Sequence, residues 1–281
     1  MPTPPMTDCR APGAALRCLE EWYATPLGRE LAAKEGACLE RMLCDTFGYY
    51  LLQVGLVDAL DGVLAGCRIR NRILLPDGPA SGRAGQGGRV QVIVDPGRLP
   101  IASDSIDAVV LPHVLEFADD ARQVLREAER VLIPEGRVII LGFNNLSLWG
   151  LRRQLARGQR QRRVPWCGSF LTPFRVADWL SLLGFDVEIE ERMMFRPPWR
   201  RTLFPDSTLF DAMGERLWPT FAGVFAIRAV KRVSTLTPLK PSWRQRRALL
   251  SGRRPVRPTV RLVRRPGGAA APRTTERGPA R

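Results

Sequence analysis

His113 is the only histidine in the 281 residues. Any acid–base step that uses an imidazole near neutral pH therefore has one address in this chain. It directly follows a short apolar run at residues 106–111, Ile-Asp-Ala-Val-Val-Leu, closed by Pro112. Open parallel sheets bind their ligands beyond the carboxyl ends of the strands, which makes this a chemically useful position, although a lone histidine is more often a structural hydrogen-bonding residue. Two acids stand at similar places. Asp95 closes an apolar run at 90–94, and Asp77 comes just after Pro76; each is equally a turn former. Cysteines 9, 18, 38, 44, 67 and 167 form no Cys-x-x-Cys pair and have one histidine to share, so no tetrahedral zinc site is expected. The glycine-rich stretch 78–88, GPASGRAGQGG, precedes a strand and lacks a closing Gly-Lys-Ser/Thr, which favours a surface loop over a phosphate loop.

The elements that must hold these residues alternate in type. After the run at 106–111, Ala121, Val124, Leu125, Ala128, Val131 and Leu132 recur at helical spacing behind Asp119 and Asp120, an amphipathic helix with acids at its start. Pro134-Glu135-Gly136 reads as its end. Val138 to Leu141 resumes as a second fully apolar strand, and strand–helix–strand joined this tightly makes a right-handed parallel crossover. Upstream, residues 14–23 read as a short helix. Thr25-Pro26 starts a second through Leu43, and residues 49–55 read as the first strand. A helix at 57–66 and a strand at 67–75 follow. Downstream come a helix at 146–155 capped by Asn145, a basic stretch at 152–163, and a helix at 174–183 behind Thr172-Pro173. Strands at 187–191 and 223–230, the latter antiparallel, complete the series.

Asp95, Leu99-Pro100-Ile101, Ser105-Ile106-Asp107, His113-Val114-Leu115-Glu116 and the run from Arg126 to Arg137 keep a fixed spacing over about fifty residues. Together they resemble the type 11 group of class I S-adenosylmethionine-dependent methyltransferases. That resemblance covers about residues 45–232 and implies a Rossmann-like α/β fold. It implies a mostly parallel seven-stranded sheet with an antiparallel last strand, helices on both faces, and a lid-like helical segment at 14–44. The bland alternative for that segment is cover for a sheet edge.

The resemblance also implies S-adenosyl-L-methionine as cofactor and assigns roles. Gly55 is the first glycine of the cofactor loop, Asp77 the ribose acceptor, and Asp95 with the turn to Leu99 the adenine site. Pro112 and His113 lie beside the sulfonium and the acceptor, His113 being the candidate base. The loop itself departs from the family pattern. Gln53 stands where an acid belongs, and Val57 and Ala59 occupy the second and third glycine positions. Either the loop turns differently and still admits the cofactor, or the site has lost it. The family's second histidine is Phe117 here. Neither an Asp/Asn-Pro-Pro-aromatic motif nor a Pro-Cys pair is present, which leaves a small-molecule or protein methyl acceptor. Gly55-Leu56-Val57-Asp58-Ala59-Leu60 does not supply the fingerprint of a dinucleotide oxidoreductase.

The net charge of +15 is concentrated. Residues 240–281 hold one Lys and twelve Arg against one Glu. Residues 1–13 and 233–281 are Pro-, Gly- or Arg-rich and are expected not to pack. Such a tail suits nucleic acid or an anionic surface, or is a solubilising extension. With no signal-peptide pattern and no apolar stretch of spanning length, a soluble cytoplasmic protein is expected. The non-enzymatic alternative is a methyltransferase fold that has lost its loop and acts as a binding or scaffold protein through this tail.

Overall fold

The computed structural model describes residues 14–56, 59–64, 66–75, 94–156, 165–197, 214, 216 and 218–233, all within a first compact unit that spans residues 1–235. The elements are α1 (Ala14–Tyr23), α2 (Pro26–Leu43), β1 (Tyr50–Val54), α3 (Asp61–Leu64), β2 (Asn71–Leu75), β3 (Ile106–Pro112), α4 (Ala121–Val131), β4 (Leu132–Phe143), α5 (Leu148–Ala156), α6 (Pro173–Leu182), β5 (Phe185–Met193) and β6 (Val224–Lys231).

Among the described residues six strands form one sheet in the order β2-β1-β3-β4-β6-β5. The β1–β2, β1–β3 and β3–β4 pairs are parallel, and β6 runs antiparallel to both its neighbours. The expected strand at 90–94 falls outside the described residues except for Val94, as do the expected loop at 78–88, residues 1–13 and the tail from 234. The chain moves from β1 outward to β2 and then crosses to β3 on the other side of β1. This reversal opens the crevice where such sheets place ligands.

Alternation along the strands builds two cores. Leu51, Ala108, Val110, Ile139, Leu141, Phe143 and Ala226 face α1, α2 and α3. Leu52, Val109, Leu111, Val138, Ile140 and Ile227 face α4 and α6. The period of two, with both sets apolar, is what a sheet covered on both sides requires. The helices at 14–43 thus pack, together with α3, on one face of the sheet and do not merely cover an edge.

Local signals account for most boundaries. Thr25, Asp120 and Thr172 accept hydrogen bonds from backbone amides and cap α2, α4 and α6. Ser147, not Asn145, caps α5, its Oγ accepting from the Gly150 amide. Pro134-Glu135-Gly136 lies inside β4 and does not precede it, because the chain enters the strand directly after Val131, with Glu135 at φ +64°. α3 is a single turn, far shorter than the helix expected at 57–66.

Candidate functional site

Gly55 ends β1 with φ +93°, a backbone geometry that side chains rarely tolerate. A Cβ there would also sit 2.6 Å from Val114 Cγ2 and 3.7 Å from the Pro112 carbonyl oxygen. Gly55 and Pro112 therefore meet across the β1/β3 crevice, with Leu16 of α1 over them. Gln53 is buried, its amide donates to the Leu56 carbonyl, and its Oε1 has no partner. Ala59 is half-buried, whereas Val57 and Asp77 lie outside the described residues.

His113 is fully buried at φ +57°, and its backbone amide donates to Leu141. Its ring lies between two carboxylates, Nε2 at 2.8 Å from Glu35 Oε1 and Nδ1 at 3.2 Å from Glu116 Oε1. The Tyr23 hydroxyl donates to Glu35 Oε2 at 2.6 Å, and the Phe143 amide donates to Glu116 Oε1 at 2.5 Å. Burial by itself would lower the His113 pKa. The charge of Glu35, with hydrogen bonds to both carboxylates, outweighs it and pushes the value up to about 10. Burial and the neighbouring Glu35 push the Tyr23 phenol well above its usual range.

Both ring nitrogens of His113 are thus occupied by carboxylates, an arrangement that favours the protonated ring. Glu116 Oε2, by contrast, is buried and without a partner. Phe143 stands 4.1 Å from the histidine ring by centroid and stacks on Trp149 and Phe170, lining the site with aromatic rings.

Asp95 is exposed, its Oδ1 accepting from the Gly97 amide at 2.8 Å. Leu99 is buried, its amide donating to Glu127 Oε2 and its carbonyl accepting from Arg130. These contacts tie the 95–99 turn to α4, while Gly55, Pro112 and His113 form a separate group at the crevice. Phe117, half-buried, packs where a Cβ on Gly168 would intrude.

Sequence reasoning missed Tyr23, Glu35 and Glu116. Glu35 carried a readable signal: it falls four residues after Leu31 and four before Leu39, an acid inside an apolar helical stripe. Among the described residues no grouping of His, Cys, Asp and Glu suits a metal ion.

The strand order and the switch-point crevice give the described residues a Rossmann-like α/β architecture. Residues 72–140 match the family described as methyltransferase domain. That match spans about a quarter of the chain, within the part that carries β2, β3, α4 and most of β4. The chain is 35% identical over 166 residues to the uncharacterized protein YafS of Escherichia coli strain K12, covering 59% of this chain and 65% of YafS. The chain thus spans slightly less than two thirds of that relative. Solved structures share the fold. An S-adenosylmethionine-dependent methyltransferase from Thermotoga maritima superposes with a TM-score of 0.53 at 16% identity, over 77% of this chain and 99% of that one. The N-methyltransferase NodS from Bradyrhizobium japonicum, in complex with S-adenosyl-L-homocysteine, gives 0.51 at 16% identity, over 77% and 98%.

Proposed function

We propose that this chain is an S-adenosyl-L-methionine-dependent methyltransferase that methylates a small-molecule or protein acceptor. The observation that carries this reading is the pairing of Gly55, at φ +93°, with Pro112 across the β1/β3 switch point. Glycine is kept at the one position where the crevice wall has no room for a side chain.

The donor and acceptor chemistry fits the cofactor. S-adenosylmethionine carries an ammonium and a sulfonium, and Gln53 Oε1 and Glu116 Oε2 are buried oxygen acceptors without partners. Buried acceptors left unpaired are costly unless a ligand completes them. Gly55 and Pro112 would line the methionine end. Asp95 would accept from the adenine amino group beside the turn to Leu99, and Asp77 is carried from sequence as the ribose acceptor.

When bound, the cofactor supplies a methyl group already activated by the positive sulfur. The protein's share is alignment and exclusion of water. His113, held as a cation between Glu35 and Glu116, acts as a positioning residue: it fixes the chain after β3 and aims Glu116. Glu116 Oε2 is the group that would accept a hydrogen bond from the acceptor or the cofactor ammonium. The aromatic rings of Phe143, Trp149 and Phe170 exclude water on the same side.

One observation favours the second reading, a non-catalytic binding protein. The Gln53 amide ties back to the Leu56 carbonyl and so stabilises a turn without ligand. Calorimetric titration with S-adenosylmethionine and S-adenosylhomocysteine separates the two. Saturable heat and a raised melting temperature are expected. Absence of both at millimolar ligand would leave the scaffold reading standing.

A further inference from the structure

Tyr23, Glu35, His113 and Glu116 form one run of hydrogen bonds, and it has a loose end. Glu35 is complete: Oε2 accepts from the Tyr23 hydroxyl and Oε1 meets His113 Nε2. Glu116 is half complete. Its Oε1 meets His113 Nδ1 and accepts from the Phe143 amide, while the buried Oε2 has no partner among the described residues. The residue is otherwise held firmly. The Ser169 amide donates to its carbonyl at 2.6 Å, and a Cβ on Gly168 would lie 3.2 Å from its Cβ. Arg153 reaches the same segment but gives its Nε–H to the Gly168 carbonyl and sets its guanidinium over the Phe170 ring.

Charge and place say what completes Oε2. One imidazole stands between two acids, so at most one positive charge faces two carboxyl groups. Buried acceptors are paired as a rule, and buried charge is balanced. A donor that carries a positive charge does both. Phe143 and Phe170 stack beside the histidine ring, and in such low-dielectric surroundings opposite charges attract more strongly. The place is the β4 side of the crevice, because the Phe143 amide that fixes Glu116 ends β4. Gln53, which carries the other open oxygen near the crevice, is on β1, with β3 between β1 and β4. Two strand spacings, roughly 10 Å, separate those strands. A group bound at Glu116 thus stands apart from the methionine end that Gly55 would line, on the acceptor's side.

We propose, on the transferase reading above, that the methyl acceptor is an amine, on a small molecule or a protein side chain, bound as its ammonium with one N–H donated to Glu116 Oε2. Passage of one proton from that nitrogen to the same oxygen leaves it a lone pair with which to act as nucleophile. An alcohol, which arrives uncharged, would leave the second acid unbalanced.

Benzylamine, cationic at neutral pH, and benzyl alcohol, its neutral match, are titrated into the full chain by calorimetry, with and without S-adenosylhomocysteine. The amide resonance of Phe143 reports on Glu116, since its hydrogen bond ends on Oε1. Benzylammonium is expected to bind about tenfold tighter than the alcohol or better, and to move that resonance, which the alcohol leaves in place. Glu116→Gln keeps an oxygen for the Phe143 amide and should erase the preference, weakening the ammonium on the order of tenfold or more. Should that variant not fold, the resonance of the parent chain decides. Equal binding of the two probes, or none, would leave Oε2 to a water and overturn the proposal; heat from S-adenosylhomocysteine in the same titrations would still keep the transferase reading. S-adenosylhomocysteine that moves the Phe143 resonance and displaces benzylammonium would assign Glu116 to the cofactor's ammonium and overturn the proposal as well. Ammonium binding at Glu116 with no binding of S-adenosylhomocysteine would uphold the ammonium site and remove the transferase reading instead.

Discussion

At the scale of single residues, His113 is defined by what surrounds it. Its folded pKa of about 10 lies above the ordinary 6.5. The stability it contributes is therefore fully present below about pH 6.5 and is lost as the pH rises toward 10. Replacing it with glutamine leaves Glu35 and Glu116 buried without their cation, and a loss of about 3–5 kcal/mol is expected near neutral pH by denaturant titration. The variant should also lose the part of the wild-type decline between pH 6.5 and 10 that belongs to the imidazolium. Gly55→Ala meets both a positive φ and Val114; a cost on the order of 2–4 kcal/mol is expected, read from the same titration. The position of His113 directly after a strand was legible, but its partners were not. The pKa is raised by Glu35, seventy-eight positions away, together with the nearby Glu116, and no local pattern encodes the distant partner beyond the acid breaking the stripe of α2.

At the scale of elements, caps and periodicity are short-range, and so they were readable. Thr25, Asp120 and Thr172 mark helix starts because each satisfies amides within three residues of itself. Asp120→Ala is expected to cost about 1 kcal/mol, measured as a shift in the denaturation midpoint, since two α4 amides lose their acceptor. The start of β4 was not readable. Pro134 and Gly136 are helix terminators by type, yet Leu132 already pairs with Ile106 of β3, and the stretch up to Arg137 is an irregularity inside the ladder. Residues on β6 show the same dependence on distant partners. Arg228, buried, donates to the Met42 carbonyl near the end of α2 and pairs with Asp45 and Glu188. Replacing it with methionine should cost about 1–2 kcal/mol, because the buried Met42 carbonyl loses its donor while the more exposed Asp45 and Glu188 can turn to water, and a double change with Asp45→Asn should cost less than the sum of the two single ones.

At the scale of the whole molecule, the surplus of charge and the folded sheet belong to different parts of the chain. A protein ending at residue 235 drops one Lys and twelve Arg. It is expected to elute from a cation exchanger at much lower salt, with a melting temperature within a few degrees of the full chain. The α/β class and the parallel β3–α4–β4 crossover were legible because apolar runs and crossover handedness leave few topologies open. The role of the two leading helices was not, since cover for an edge and cover for a face read alike. That role bears on where a working fragment begins. The family match starts at residue 72, but α1 and α2 supply Tyr23, Glu35 and much of one core. A fragment trimmed to the homologous span would thus leave bare hydrocarbon on one face of its strands and strip His113 of Glu35, and such a fragment should precipitate on expression, not merely lose activity.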